Sequence, residues 1–185
     1  CSFTDGDSLS SGSFSVNEHL ETNVFDISYP SVLDNIKSQL FEVCIHRVRR
    51  SFDKTHNLNT FTAGNINSRG LEIIVGGRCQ GDRYRIKDNI VTMVYRNIHG
   101  NIINIFTDSV INTDKGYLGR CYTSQMLDPT TGKAKGNPKK YIDISEPLGE
   151  SGLWLLRSRT IQIDQNNTRI SRHTYTFDNI TIFNN

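Results

Sequence analysis

The chain has 185 residues, of which 36% are hydrophobic and 22% charged, the composition of one folded domain and not of a disordered segment. Its net charge of +2 is spread along the chain, which argues against a nucleic-acid binder with its concentrated basic surface. No run approaches the roughly 18 to 20 apolar residues of a transmembrane helix, so a soluble or peripheral protein is expected.

The chain opens at Cys1 with neither an initiator Met nor a signal peptide, so residues upstream are expected. Residues 1–12, CSFTDGDSLSSG, are rich in Ser, Gly and Asp and predict an irregular lead-in; residues 13–185 predict a single β-rich domain. Two short strands, Ser13–Val16 and Asn23–Ser28, precede the one strong helical pattern. That pattern covers about 31–50: Val32, Leu33, Ile36, Leu40, Val43, Cys44 and Val48 recur at three- and four-residue steps. Ser31 suits the N-cap, Asp34 the positive first turn, and His46, Arg47, Arg49 and Arg50 the negative C-terminal end.

A polar connection, FDKTHNLN, leads into strands predicted at Thr60–Ala63, Leu71–Gly76, Asp82–Lys87, Ile90–Asn97, Ile102–Ile111, Tyr117–Leu127, Lys140–Ser145, Leu153–Asp164 and Arg169–Phe183. Turn signals such as KDN, NTDKG and LGESG separate them. Connections of two to six residues do not hold a parallel crossover, so the sheet is predicted to be an antiparallel meander. The fold class expected is therefore α+β, mostly antiparallel β: a curved half-barrel or barrel-like sheet packed on one amphipathic helix.

Two basic clusters stand out. His46, Arg47, Arg49 and Arg50 form the first, at the helix end; Lys133, Lys135, Lys139 and Lys140 form the second, on the Gly/Pro-rich segment TGKAKGNPKK. Both suit contact with an anionic partner, although the first also complements the helix dipole. Trp154, within LWLL, and Tyr95 are candidates for the wall of an apolar cavity, with core packing as the plainer reading. GGRCQGD around Cys79 lacks the ending of a P-loop and reads as a turn. Cys1, Cys44, Cys79 and Cys121 lie far apart and form no CxxC or Cys/His ligand cluster, so no metal is expected. His46 and His56 are the one acid–base pair available to an enzyme, and no nucleophile accompanies them at a recognisable spacing.

The run HRVRRSFDKTHNLNTF, followed by residues 71–118 and by YTFDNI at 175–180, resembles a cyanobacterial and algal-plastid family catalogued as a domain of unknown function. The matching positions are His46, Arg47, Arg49, Phe52, His56 and Phe61; Asn57 stands where a glycine is usual. The resemblance runs from about Ser13 to Ile182 and brings no catalytic residues. It implies a photosynthetic setting, in the plastid stroma at the thylakoid surface or in cyanobacterial cytoplasm. The expected function is a non-catalytic accessory or linker-like subunit docked on a phycobilisome or photosystem through the two basic clusters. The alternative is a carrier that holds a lipid, carotenoid or bilin in the curved sheet near Tyr95 and Trp154.

Overall fold

A computed structural model describes residues 2–5, 8–16, 22–27, 33–45, 51–98, 100–149, 152, 154–166 and 168–181. The first helix, α1 (Leu33–Ile45), buries Ile36 and Leu40 from the predicted apolar face and carries Asp34 in its first turn. Residues 46–50, the last part of the helix predicted over about 31–50, lie outside the described residues, and Ser51, with a ψ of 131°, is not helical. Ser51 instead caps a second helix, α2 (Phe52–His56): its Oγ accepts from the Lys54 amide and its carbonyl from the Thr55 hydroxyl. The segment expected to be a polar connection thus begins as helix, because a serine cap supplies the partners that its short sequence lacks.

Nine strands then follow one another in space as they do in sequence: β4 (Asn59–Asn67), β5 (Gly70–Gly77), β6 (Arg83–Lys87), β7 (Ile90–Ile98), β8 (Asn101–Thr113), β9 (Gly116–Leu127), β10 (Lys139–Pro147), β11 (Trp154–Gln165) and β12 (Thr168–Thr176). This is the antiparallel meander that the short connections predict. The β6–β7 turn shows why: Asp88 and Asn89 both take positive φ, 51° and 61°, the two-residue hairpin geometry that matches strand twist. Gly70, at φ 102°, opens β5 where a Cβ would lie 2.1 Å from the Ile86 carbonyl oxygen.

The amino-terminal strands β1 (Ser2–Asp5), β2 (Ser8–Val16) and β3 (Thr22–Ile27) extend the order beyond β12, with β1 beside it. Ser2 to Asp5 pair antiparallel with Thr176 to His173. The irregular lead-in expected over 1–12 is therefore corrected. Its Ser, Gly and Asp residues have little strand propensity, but the free edge of β12 satisfies the backbone groups of β1. At its other end β12 stops at Thr176, short of the predicted Phe183. Phe177 turns aside, buried, and donates its amide to the Arg157 carbonyl, and Asn179 takes φ 51°.

The described chain divides into two compact units. The first comprises Cys1–Arg49, Asp143–Ile161 and Ser171–Asn185; the second comprises Arg50–Ile142 and Gln162–Ile170. In the first, Ile36, Leu40, Leu156, Ile161, Tyr175 and Phe177 are buried; in the second, Val75, Met93 and Ile102 are.

Candidate functional site

Within the second unit the strand register assigns side chains to two faces of the sheet. Directly paired residues share a face and successive residues alternate. One face carries the cross-strand row Glu72, Arg85, Met93, Phe106, Thr123, Lys140, and beside it Ile74, Arg83, Tyr95, Asn104, Gln125. Arginines roof this face. Arg85 is buried, with Nη2 3.5 Å from Glu72 Oε1 and 2.8 Å from Asn65 Oδ1, and with Nη1 donating to the Gly70 carbonyl at 3.1 Å. Arg83 lies 5.6 Å from the Tyr95 ring centroid, and Arg69 lies 4.7 Å from that of Phe106 and 3.8 Å from Asp108.

The opposite face carries Ala63, Ile73, Tyr84, Val94, Ile105, Ser124 and Lys139 as one row across seven strands. It is uncharged until Lys139, and Ile73, Tyr84, Val94 and Ile105 are all half-buried. Desolvation by this apolar setting, above all, pushes the Tyr84 phenol above its ordinary range. Tyr122 and Tyr141 stack beside the row with centroids 4.7 Å apart. One ion pair, Arg96 with Asp82 at 2.9 Å, stands in the neighbouring row.

The β9–β10 connection is a braced hairpin tip. Asp128 accepts from the Thr130 and Thr131 amides and the Thr131 hydroxyl, bonds that hold its carboxyl below the usual range, the Thr131 amide contributing most. The Asp128 carbonyl accepts from Gly132, the Asp128 amide donates to Lys133, and the Gln125 amide donates to the Lys135 and Gly136 carbonyls. Lys133, Lys135, Lys139 and Lys140 are all exposed. None forms an ion pair among the described residues. Lys133 and Lys135 stand on the tip, whereas Lys139 and Lys140 oppose Ser124 and Thr123 and so point to opposite faces. Four lysines close in sequence are thus divided between a hydrogen-bonded tip and the two faces of β10.

His46, Arg47, Arg49 and Arg50 lie outside the described residues. The other signature positions meet: Phe52 lies 4.8 Å from His56 and 5.6 Å from Phe61, and His56 lies 5.8 Å from Phe61, between ring centroids. Asn59 joins its amide to His56 Nδ1 at 3.0 Å and accepts from the Cys79 amide at 2.9 Å. His56 therefore serves to hold α2 against the start of β4. Asn57 has φ −57°, which any residue adopts.

Tyr95 belongs to the second unit and Trp154, half-buried at the start of β11, to the first. A cleft of about 430 Å³ in the first unit is lined by Glu146, Arg157, Asp178, Asn179 and Ile180, a polar set that includes neither aromatic. Cys79 and Cys121 are free thiols, and the described residues hold no His, Cys, Asp and Glu cluster suited to a metal ion.

Sequence reasoning missed a second buried arginine, in the first unit. Arg159 donates to both Asp143 oxygens at 2.8 and 2.7 Å, and its Nη1 reaches Gln39 Oε1 at 3.4 Å and Glu42 Oε2 at 3.3 Å on α1. A bidentate fork of this kind sets the position of the helix on its strands. Glu42 and Gln39 stand three apart on the helix, but nothing in their spacing names a partner more than a hundred residues away.

These features define an antiparallel β-meander with two short helices, α+β in class and mainly β. The chain belongs to the family described as "Protein of unknown function (DUF3386)", which matches residues 1–183. The match extends beyond the resemblance read from Ser13 onward and takes in β1 and the start of β2. No curated protein and no solved structure matches the chain. Among the described residues no helix is long and apolar enough to cross a membrane.

Proposed function

We propose that this protein is a non-catalytic accessory subunit that docks on a larger complex through the Asp128–Lys140 hairpin. The observation that carries the reading is the bracing of that hairpin by Asp128 and Gln125, which presents exposed Lys133 and Lys135 at the tip, with exposed Lys139 and Lys140 on the strand that leaves it. A preformed cationic tip loses little conformational freedom on binding, and an acidic protein surface is its natural complement. The setting implied by the resemblance makes phycobilisome or photosystem subunits at a thylakoid surface the partners to test first. Tagged protein purified from native membranes should carry a stoichiometric partner at low salt and lose it at high salt. The variant Lys133→Glu, Lys135→Glu, Lys139→Glu, Lys140→Glu should lose it at both. Unchanged recovery of the partner by that variant sinks the reading.

The uncharged row from Ala63 to Ile105 favours a second reading, a carrier of a lipid, carotenoid or bilin. Half-buried aliphatic and aromatic side chains in one continuous band are the lining that such ligands need. Solvent extraction of the natively purified protein, followed by absorption and mass spectra, tests it. An extract without pigment or lipid would remove this reading and leave the first intact.

A further inference from the structure

Beside the uncharged row of the second unit's sheet, a neighbouring row runs along the same face: Phe61, Val75, Asp82, Arg96, Ile103 and Met126. All of these residues belong to that one unit. The row holds one anion and one cation, and they are not equivalent. Asp82 is 3% exposed and both of its oxygens are occupied: Oδ2 accepts from Arg96 Nε at 2.9 Å and Oδ1 from the Asn97 amide at 3.1 Å. The Arg96 side chain is 44% exposed, and its two Nη groups have no partner among the described residues. Arg159 shows the contrasting geometry, since it gives both Nε and Nη2 to Asp143 and closes the pair on itself. Asp82 instead holds Arg96 by one edge and leaves the outer fork of the guanidinium open.

The surroundings select what that fork would take. Ile103 is half-buried and Met126 is 36% exposed, so the row continues apolar beyond the ion pair. Tyr84 pairs with Val94, two residues from Arg96 on the same face. Burial, above all, raises its phenol while the Arg96 charge draws it down, so hydroxyl and guanidinium lie within each other's field. The uncharged row crosses from Ala63 on β4 to Ser124 on β9, about 24 Å at the usual interstrand spacing. One planar donor fork beside a long uncharged band complements a molecule with one carboxylate and an extended hydrocarbon chain. A multivalent anion finds no second cation in these two rows before Lys139, and a pure hydrocarbon leaves the fork unused. We infer that this face binds a fatty acid, with its carboxylate on the Arg96 Nη groups, the Tyr84 hydroxyl beside it and its chain along the row from Ile73 to Ile105. The inference rests on the carrier reading and selects, from the ligands that reading admits, an acidic lipid.

The test is equilibrium dialysis of the full chain, first stripped of lipid on a lipophilic resin, against radiolabelled dodecanoate or dodecanol. Wild type binds dodecanoate at least about tenfold more tightly than dodecanol, the difference made by a charge-assisted bond. Asp82→Asn with Arg96→Gln removes both charges without stranding either; it lowers dodecanoate affinity about tenfold and leaves dodecanol affinity unchanged. Tyr84→Phe lowers dodecanoate affinity about threefold. The hairpin variant with four glutamates binds both probes as wild type does, which separates this site from general attraction to the lysines. Equal binding of the two probes by wild type overturns the inference and leaves the carrier reading standing. Binding of neither probe also overturns it, and a native extract that holds pigment would then keep the carrier reading. Undiminished dodecanoate binding by the paired variant, or its loss in the hairpin variant, overturns it too. The comparison of probes on wild type decides the matter even where the paired variant does not fold.

Discussion

The two faces of the second unit's sheet solve the same problem in opposite ways. On one, Arg85, Arg83 and Arg69 lie over or beside Met93, Tyr95 and Phe106, and each guanidinium finds a carboxylate, a carbonyl or a ring. On the other, Ile73, Tyr84, Val94 and Ile105 stand in a row without a charge among them. Arginine stems cover apolar surface while their heads stay paired or wet, so the first face is finished with respect to water. The second retains apolar surface that only another apolar body would cover fully. The difference separates a face covered by paired guanidinium groups from a face with an apolar row.

The largest effect that would sharpen this contrast is expected from Arg85→Met, which strands the buried Glu72 carboxylate and should cost about 3 to 5 kcal/mol in urea unfolding. Replacing both partners, Glu72→Leu with Arg85→Met, should recover most of that loss. If the single variant unfolds no more easily than the double, the ion pair is not what secures the roofed face. Next comes Ile105→Asp, which places an unpaired charge in the uncharged row and should cost about 2 kcal/mol. A cost near zero would show that the row is already open to water. Arg69→Ala removes a ring contact and an ion pair that are both half-exposed, so about 1 kcal/mol is expected.

The smallest effect is spectroscopic. Among seven tyrosines, Tyr84 should deprotonate late in an ultraviolet titration, and Tyr84→Phe should remove that late step. Because its folded pKa is raised, the linked stability is fully present below the ordinary tyrosine range. It is lost as pH rises from that range through the folded value. A titration with no late component would place Tyr84 in water and erase the difference between the faces.

Strand β10 shows where a pattern in sequence misleads. Tyr141-Ile142-Asp143-Ile144-Ser145 alternates as though the isoleucines turned inward, yet Asp143 and Ser145 are buried while Ile144 is 54% exposed. Arg159, itself buried on β11, reverses the expected order: its bidentate bond with Asp143 and its reach to Gln39 and Glu42 require the acid inside. Residues 1–12 mislead for a related reason. Their propensity speaks for a loop, and β1 exists because β12 offers it an edge. Neither partner is near in sequence.

Local chemistry was legible wherever the governing interaction was local. The β-meander followed from turn residues at short intervals, and the helix around Ile36 and Leu40 followed from its period. Exposure of Lys133, Lys135, Lys139 and Lys140 followed from a Gly/Pro segment rich in charge. The Phe52, His56 and Phe61 spacing held a contact that became a ring cluster once Ser51 started a new helix. What the sequence determined by itself was the order and type of most elements, because hydrogen bonds to neighbours and side-chain period act over a few residues. Only the tertiary structure decided which acids meet Arg85 and Arg159, where the outermost strands dock, and which row of the sheet, from Ala63 to Ser124, runs without a charge. Those outcomes depend on register and on pairs tens of residues apart, and burial, not propensity, sets their energies.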